Sequence, residues 1–156
     1  MDLTTKGVAL IQIATVIDPE KVIKNYQNPS TNKQYPTGIA FNEVSMDCTG
    51  SRGNVNGQGS TNIEFSAYAG DVVSFNSTIA PASSTYAANI YRIGDNGGDR
   101  VFYREETKEG SIEFQVYGIG MARLSFYFGI YTKDTNGKPK DLIGCFYFDP
   151  YITVRS

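Results

Sequence analysis

The sequence contains no histidine, and this absence narrows the chemistry that the protein can perform. Without imidazole there is no Ser-His-Asp or Cys-His catalytic group, no histidine metal ligand and no ordinary proton shuttle near neutral pH. The two cysteines, Cys48 and Cys145, are too few to form a zinc site on their own. A disulfide between them is geometrically possible, but without a secretion signal we expect reduced, buried thiols. We therefore expect no catalytic residue, no resident metal and no cofactor.

The chain also lacks a marked excess of charge of either sign. Its 14 basic and 16 acidic side chains give a formal net charge of −2 over 156 residues. No basic cluster is available to release counterions from a nucleic acid. The first apolar stretch, from Val8 to Ile17, is interrupted by Gln12 and Thr15, so it is neither a signal peptide nor a membrane span. These features predict a cytoplasmic protein with no nucleic-acid and no membrane partner.

Short alternating runs of aromatic and aliphatic residues dominate the rest of the chain. The clearest runs place these residues on one face of a strand: Ile63, Phe65, Ala67 and Ala69; Ile112, Phe114 and Val116; Leu124, Phe126, Phe128 and Ile130. The segment 7–17 is expected to form a strand covered on both faces. Eight or nine such strands predict an all-β fold, a two-sheet antiparallel β-sandwich resembling a jelly roll. At this length, residues 1–156 are expected to form a single domain.

The turn signals predict one helix and two hairpins. Asp18 before Pro19 is typical of a helix N-terminus, so one short helix is expected near residues 19–27. Gly70-Asp71 is expected to join strands 62–69 and 72–79 in a hairpin. The polar segment 94–99 is expected to join strands 86–93 and 100–104 in a second one.

The tip of that second hairpin is a weak candidate calcium site. Asp95, Asn96 and Asp99 could offer oxygen ligands on a glycine-rich loop. However, Arg100 occupies the sixth position, where calcium loops of the helix-loop-helix type require glycine, and no helix is expected on either side. A solvated hairpin tip is the favoured interpretation.

Several tyrosines are expected on the strand faces opposite the core, where they are candidates for self-association or ligand contacts. Tyrosine offers a large contact area with a polar tip, which suits both roles, although outward tyrosines are also common without any role. These candidates are Tyr68, Tyr117, Tyr127, Tyr131 and Tyr147.

An ordered set of short motifs runs along nearly the whole chain. The motifs are Val16-Ile17-Asp18, Lys24-Asn25-Tyr26-Gln27-Asn28-Pro29-Ser30, Pro36-Thr37, Ala69-Gly70-Asp71, Ile90-Tyr91-Arg92-Ile93 and Cys145-Phe146-Tyr147-Phe148-Asp149-Pro150-Tyr151-Ile152. Together they resemble the AidA/PixA family of bacterial inclusion-body proteins. The resemblance implies a small cytoplasmic protein, often abundant and sometimes deposited as crystalline inclusions, with no catalytic residue to transfer. Because the chain has only 3 Met, it departs from the methionine-rich branch, so only the shared scaffold is carried over.

The motif residues are interpreted as architecture. Asp18 is expected to cap the helix, Pro29 to end it, and Asp149-Pro150 to form a turn before the last strand. The full set of motif residues interpreted as structural is Asp18, Pro29, Pro36, Gly70, Asp71, Asp149, Pro150 and Tyr151.

These observations favour a non-enzymatic protein that associates with copies of itself. The resulting homo-oligomer is expected to pack into ordered intracellular inclusions. The alternative is a lectin-like carbohydrate-binding module, with or without calcium, using the loop around Asp95 and Asp99 or an exposed tyrosine. The least favoured hypothesis is an enzyme that uses only carboxylates and tyrosines, with Glu106 as the residue to test.

Overall fold

The structure is a computed structural model that describes residues 7–40, 43–108 and 110–155. Eleven strands and one α-helix lie in these ranges. Their bounds are β1 Leu10–Ile17, α1 Pro19–Asn25, β2 Thr37–Gly38, β3 Val44–Thr49, β4 Glu64–Tyr68, β5 Val72–Ile79, β6 Tyr86–Gly98, β7 Glu105–Lys108, β8 Ser111–Gln115, β9 Gly120–Lys133, β10 Pro139–Phe148 and β11 Tyr151–Arg155. The sequence also predicts a weak strand over residues 38–41, and its last residue lies outside the described ranges.

The strands form two sheets that face one another. Sheet 1 has five strands in the order β3-β1-β5-β8-β7. In sheet 2 the long strand β9 is central: β6 pairs along one side, while β10 and β11 follow one another along the other side. Strand β2 pairs with β10, and β4 pairs with β11. The β-sandwich expected from the sequence is confirmed.

One hydrophobic core fills the space between the two sheets. Phe75 from sheet 1 meets Phe65 and Phe126 of sheet 2 at ring-centroid distances of 6.2 and 6.0 Å. The inward residues expected from the alternation are buried, namely Ile63, Phe65, Ala67, Ile112, Phe114, Val116, Leu124, Phe126, Phe128 and Ile130. Ala69 is an exception, because β4 ends at Tyr68 and Ala69 is exposed.

Strand pairing is mixed, which corrects the purely antiparallel arrangement expected from the sequence. The pairs β1·β5, β2·β10 and β4·β11 are parallel, and the other named strand pairs are antiparallel. Strand β1 lies between β3 and β5, but Leu10, Gln12 and Ala14 on its outer face are exposed. The expectation that this strand is covered on both faces was therefore wrong.

Neither expected hairpin is present. Gly70 and Asp71 do form a turn, but it carries the chain from β4 in sheet 2 to β5 in sheet 1. The polar segment 94–98 is the second half of β6, paired with β9 through Gly94, Asp95 and Gly98. The chain then crosses to sheet 1, where β7 pairs with β8. Local alternation identified the strands but not the sheet to which each belongs.

The single described helix forms as the sequence predicts. The Asp18 carboxylate accepts the Lys21 N–H at 3.1 Å, and the helix ends at Asn25, two residues before the expected end. Pro29 lies beyond the helix and packs against Gly144 of β10, where an added Cβ would be 2.5 Å from the proline ring. No helix in the described ranges has the length and hydropathy of a membrane span.

Candidate functional site

The outer face of sheet 2 carries a cluster of four half-buried tyrosines, Tyr91, Tyr127, Tyr131 and Tyr147, which we call the tyrosine face. Tyr127 of β9 and Tyr147 of β10 are cross-strand neighbours with ring centroids 6.1 Å apart. The Tyr91 ring of β6 lies 5.9 Å from that of Tyr127. The rings therefore form a row across three strands.

Glycines occupy the positions beneath rings of the tyrosine face. A Cβ on Gly94 would be 2.8 Å from the Tyr127 ring, and a Cβ on Gly38 would be 3.2 Å from the Tyr147 ring. A methyl group at Gly94 would therefore force the Tyr127 ring to move. Covering a strand glycine with a neighbouring aromatic ring protects backbone that glycine would otherwise leave exposed. Part of the tyrosine content is thus explained by packing within the chain.

The loop after the helix covers part of the tyrosine face. The Tyr91 hydroxyl donates to the Lys33 carbonyl at 2.9 Å, and the Lys33 ammonium lies 5.2 Å from the Tyr91 ring centroid. Burial raises the pKa of Tyr91, and it also raises the pKa of the neighbouring Cys145 thiol. Both cysteines are free and buried, as expected, and burial raises the pKa of Cys48 to about 11. None of these groups is poised to ionise near neutral pH.

A second surface, at one end of the sandwich, is apolar and open. In the described part of the chain, six of the seven exposed large hydrophobic side chains lie near this end, on the outer faces of both sheets and on the chain segments that join them. We call this set the apolar end: Val8, Leu10, Tyr103, Tyr117, Ile119 and Met121. The seventh, Tyr35, lies in the loop after the helix and not at this end. Exposed hydrophobic side chains that are grouped, unlike scattered ones, indicate an interaction surface.

Strand register and direct contacts link the residues of the apolar end. Leu10 pairs with Val72, and Val72 pairs with Gln115. The start of β1 and the end of β8 therefore lie at the same end of sheet 1. The Tyr117 hydroxyl donates to Gln115 Oε1 at 2.7 Å, and its ring lies 5.8 Å from that of Tyr103. Ile119 and Met121 follow at alternate positions as the chain enters β9.

The sequence indicated only one member of the apolar end, Tyr117. Ile119 and Met121 were not predicted, because only tyrosines were expected as outward contact residues. A signal was present in Tyr117-Gly118-Ile119-Gly120-Met121, where large apolar residues alternate with glycine outside any run of core residues. The remaining tyrosine candidate, Tyr68, is half-buried beneath the Arg52 guanidinium, 4.6 Å from its ring centroid.

The three candidate calcium ligands use their polar atoms within the chain. Asn96 donates to the Asp149 carboxylate at 2.9 Å, and Asp99 accepts the Met121 N–H at 3.1 Å. Asp95 accepts the Gly97 N–H at 3.4 Å. Within the described ranges, no three His, Cys, Asp or Glu side chains come together in a way that could hold a metal ion. The described residues offer no contact that favours the carbohydrate alternative over self-association.

The Asp149-Pro150-Tyr151 motif separates β10 from β11 beside β9. The Asp149 carboxylate accepts hydrogen bonds from Ser125 and Asn96, both at 2.9 Å, and the Pro150 carbonyl accepts the Leu124 N–H at 2.8 Å. Tyr151 begins β11, and its hydroxyl accepts a hydrogen bond from Arg123 Nε at 2.9 Å. These contacts hold the two strands along the same side of β9.

Comparison with known proteins identifies the fold and its family. A family model described as PixA, inclusion body protein, matches residues 9–117. The crystal structure of the inclusion body protein PixA from Burkholderia cenocepacia J2315 is similar over 99% of both chains, with a TM-score of 0.85 and 27% identity. A cysteine protease inhibitor from Entamoeba histolytica has a TM-score of only 0.32 and 13% identity over 60% of this chain and 86% of its own, too weak to indicate a shared fold. No curated protein matches the chain.

Proposed function

The chain belongs to the PixA family of inclusion body proteins, and we propose that it is a non-enzymatic protein that self-associates into ordered inclusions inside the cell. The proposal takes its direction from the family, which is one of inclusion body proteins and is not defined by a reaction. The absence of histidine from the sequence supports the non-enzymatic part, because it removes the most common catalytic acid and base.

The apolar end supports self-association most directly. Its residues are 51 to 69% exposed in the single chain, and their burial against a second copy is favourable at roughly 25 cal/mol per Å² of apolar area. The low net charge of −2 opposes this contact only weakly. We propose a second copy of the chain as the occupant of this surface.

An ordered inclusion needs more than one kind of contact. A two-fold contact through the apolar end alone closes at a dimer, whereas growth requires a further surface on each copy. We propose that the tyrosine face provides that further contact, since its rings are half-exposed and held in place by packing. Tyr127, Tyr131 and Tyr147, the outward candidates expected from the sequence, would then act at a second interface.

The variant Ile119→Glu tests the proposal, with Tyr35→Glu as the matched control. Both substitutions replace an exposed apolar side chain with the same charge, but only Ile119 belongs to the apolar end. By light scattering we expect the wild-type protein and Tyr35→Glu to gain mass with concentration over the same range. Ile119→Glu should require at least about tenfold higher concentration, corresponding to roughly 1.4 kcal/mol of lost contact energy.

Electron microscopy of overexpressing cells completes the test. The wild-type protein and Tyr35→Glu should form ordered particles, and Ile119→Glu should remain dispersed. A wild-type protein that stays monomeric at all concentrations would contradict self-association. Equal assembly of Ile119→Glu and the wild type would instead exclude the apolar end as the contact.

A further inference from the structure

Three arginines line one hollow beside β6, next to Tyr127 in the row of tyrosine rings. The hollow has a volume of about 260 Å³ and lies between the second half of β6 and the chain that leads to β7. Arg92 comes from β6, while Arg100 and Arg104 come from the crossing between the sheets. Arg92 belongs to the motif Ile90-Tyr91-Arg92-Ile93, and the proposed function gives Arg92 itself no role.

Aromatic rings hold two of the three guanidinium groups. Arg92 lies over the Tyr127 ring, with its Cζ 5.2 Å from the ring centroid, and Arg100 lies over the Tyr103 ring at 5.0 Å. Arg100 Nε also donates to the Phe102 carbonyl at 3.3 Å. A guanidinium stacked on a ring keeps its in-plane N–H donors available and loses less conformational freedom when it binds a ligand.

The arginines of the hollow lack carboxylate partners in ion pairs. The two ion pairs found in ranges 7–40, 43–108 and 110–155 are Arg52–Asp71 and Lys108–Glu113. Arg104 makes no hydrogen bond or ion pair with any residue that the structure describes. Three neighbouring cations repel one another, and a bound anion would relieve that repulsion.

Two carboxylates also line the hollow, and each accepts a backbone N–H, although the Glu105 carboxylate also interacts electrostatically with Arg92. Glu105 Oε2 accepts the Ile93 N–H at 2.6 Å, and Asp95 Oδ1 accepts the Gly97 N–H at 3.4 Å. Counting all five groups as ionised leaves the hollow with one net positive charge, in a protein whose overall net charge is −2. The net charge of the hollow is therefore opposite in sign to the net charge of the whole molecule.

We propose that this hollow binds phosphate or the phosphoryl group of a phosphate monoester, with Arg92, Arg100 and Arg104 as its donors. Guanidinium groups match the paired oxygens of phosphate with two parallel hydrogen bonds, which an ammonium group cannot provide. The volume lies below the range of pockets for drug-sized ligands, so the site fits a small anion better than a large cofactor. The exposed Tyr103 ring at its edge would face the ester group.

Titration with inorganic phosphate and, separately, with phosphoserine tests the proposal. We expect saturable binding by calorimetry, with NMR shifts at the amides of Gly94, Asp95 and Tyr103. Tighter binding of phosphoserine would identify a monoester as the better ligand, and equal binding would identify the free anion. Affinity should fall with ionic strength, since the donors are exposed.

Variants separate this hollow from general attraction by surface arginines. Arg92→Gln and Arg104→Gln should each lower the affinity about tenfold. Glu105→Gln should raise the affinity, because it removes a negative charge from the hollow. Arg123→Gln is the matched control: Arg123 also lies 5.2 Å from a tyrosine ring but outside the hollow, and its loss should leave binding unchanged.

Two outcomes would overturn the proposal. One is the absence of saturable binding to either probe, and the other is an equal loss of affinity in Arg123→Gln and Arg104→Gln. Light scattering of the same variants keeps the result separate from self-association. Arg104→Gln should assemble like the wild type whether or not it binds phosphate.

Discussion

Arg52 donates to both carboxylate oxygens of Asp71, from Nε at 2.9 Å and from Nη2 at 2.8 Å. The Asp71 carboxylate also accepts the N–H groups of Ala9 and Tyr68, at 2.9 and 2.8 Å. Asp71 is 1% exposed, although it lies at the turn where the chain leaves sheet 2 for sheet 1. One side chain thus joins the segment before β1, the turn between the sheets and the glycine-rich loop that contains Arg52.

We expect Asp71→Asn to destabilise the protein by about 3 kcal/mol, because it leaves the Arg52 guanidinium without its countercharge in a largely buried place. The amide also places an NH₂ group against donors. Denaturation in urea measures the loss. Asp134→Asn is the control, since Asp134 is exposed and accepts only the N–H groups of its own turn. Equal losses in the two variants would contradict the role given to Arg52.

The same contact predicts a loss of stability in acid. Burial by itself would raise the pKa of Asp71, but the hydrogen bonds from Arg52, Ala9 and Tyr68 and the Arg52 charge together hold it below its ordinary value of 3.8. The folded state therefore binds this proton less tightly than the unfolded state. The stabilisation is complete above pH 3.8 and is lost as the pH falls through the lowered pKa. In Asp71→Asn, the fall in stability below pH 3.8 should be shallower than in the wild-type protein.

The Gly70-Asp71 turn also shows what the sequence could and could not predict. The turn and the strands on both sides of it were correct, because glycine favours the positive φ of 96° found at Gly70. The hairpin was wrong because the partner of each strand is distant in sequence: β4 pairs with β11, and β5 pairs with β1 and β8. Alternation determines which face is buried but not which strand lies beside it.

The candidate surfaces were predictable to a smaller extent. Tyr127 and Tyr147 were correctly placed on outer strand faces, since period two is a local property. Their contacts with Gly94 and Gly38 depend on strand register, which no local pattern specifies. Gly94 was interpreted as part of a turn for the same reason, although it lies within β6 beneath a neighbouring ring.

The surroundings of Glu105 predict the opposite dependence of stability on pH. Its carboxylate, on β7 of sheet 1, accepts the Ile93 N–H of β6 in sheet 2. Burial raises its pKa above the ordinary 4.5, against the opposing effects of that N–H and of the Arg92 charge. The folded state therefore holds this proton more tightly, so this group's contribution is most favourable below pH 4.5 and declines as the pH rises through the raised pKa.

We accordingly expect Glu105→Gln to be more stable than the wild type at pH 7, since glutamine keeps an acceptor for Ile93 without the buried charge. The difference should shrink towards zero below pH 4.5, where Glu105 becomes protonated. Urea denaturation of the variant and the wild type at pH 7 and pH 3.5 measures the gain in stability and its loss in acid. A variant that is less stable at pH 7 would show that the attraction of the carboxylate to Arg92 exceeds the cost of its burial.

Thr15 offers a way to stabilise the core. Its side chain is fully buried in β1, and its hydroxyl oxygen has no hydrogen-bond partner. Thr15→Val replaces this hydroxyl with a methyl group of similar size, and we expect a gain of about 1 kcal/mol in the free energy of unfolding. Thr37→Val is the control with the opposite sign, because the Thr37 hydroxyl accepts the Ser30 N–H at 2.9 Å and its loss should cost about 1 kcal/mol.

Gln58 protects an edge of sheet 1. Strand β3 is at the edge, and the Gln58 amide makes both hydrogen bonds that a neighbouring strand would make to Cys48: Oε1 accepts its N–H at 2.8 Å, and Nε2 donates to its carbonyl at 2.9 Å. The Gly59 N–H donates to the Met46 carbonyl at 2.7 Å. An unpaired edge is a template for strand addition by another chain, and here the glycine-rich loop occupies it.

We expect Gln58→Ala to lose about 1 kcal/mol of stability and to form thioflavin-positive aggregates, because it exposes this edge. Gln12→Ala, at an exposed position on the paired strand β1, should do neither. Aggregation through β3 differs from the proposed assembly through the apolar end, so combining Gln58→Ala with Ile119→Glu separates them. Aggregates that persist in the double variant arise from the β3 edge, whereas their disappearance would mean that Gln58 protects the same contact that Ile119 forms.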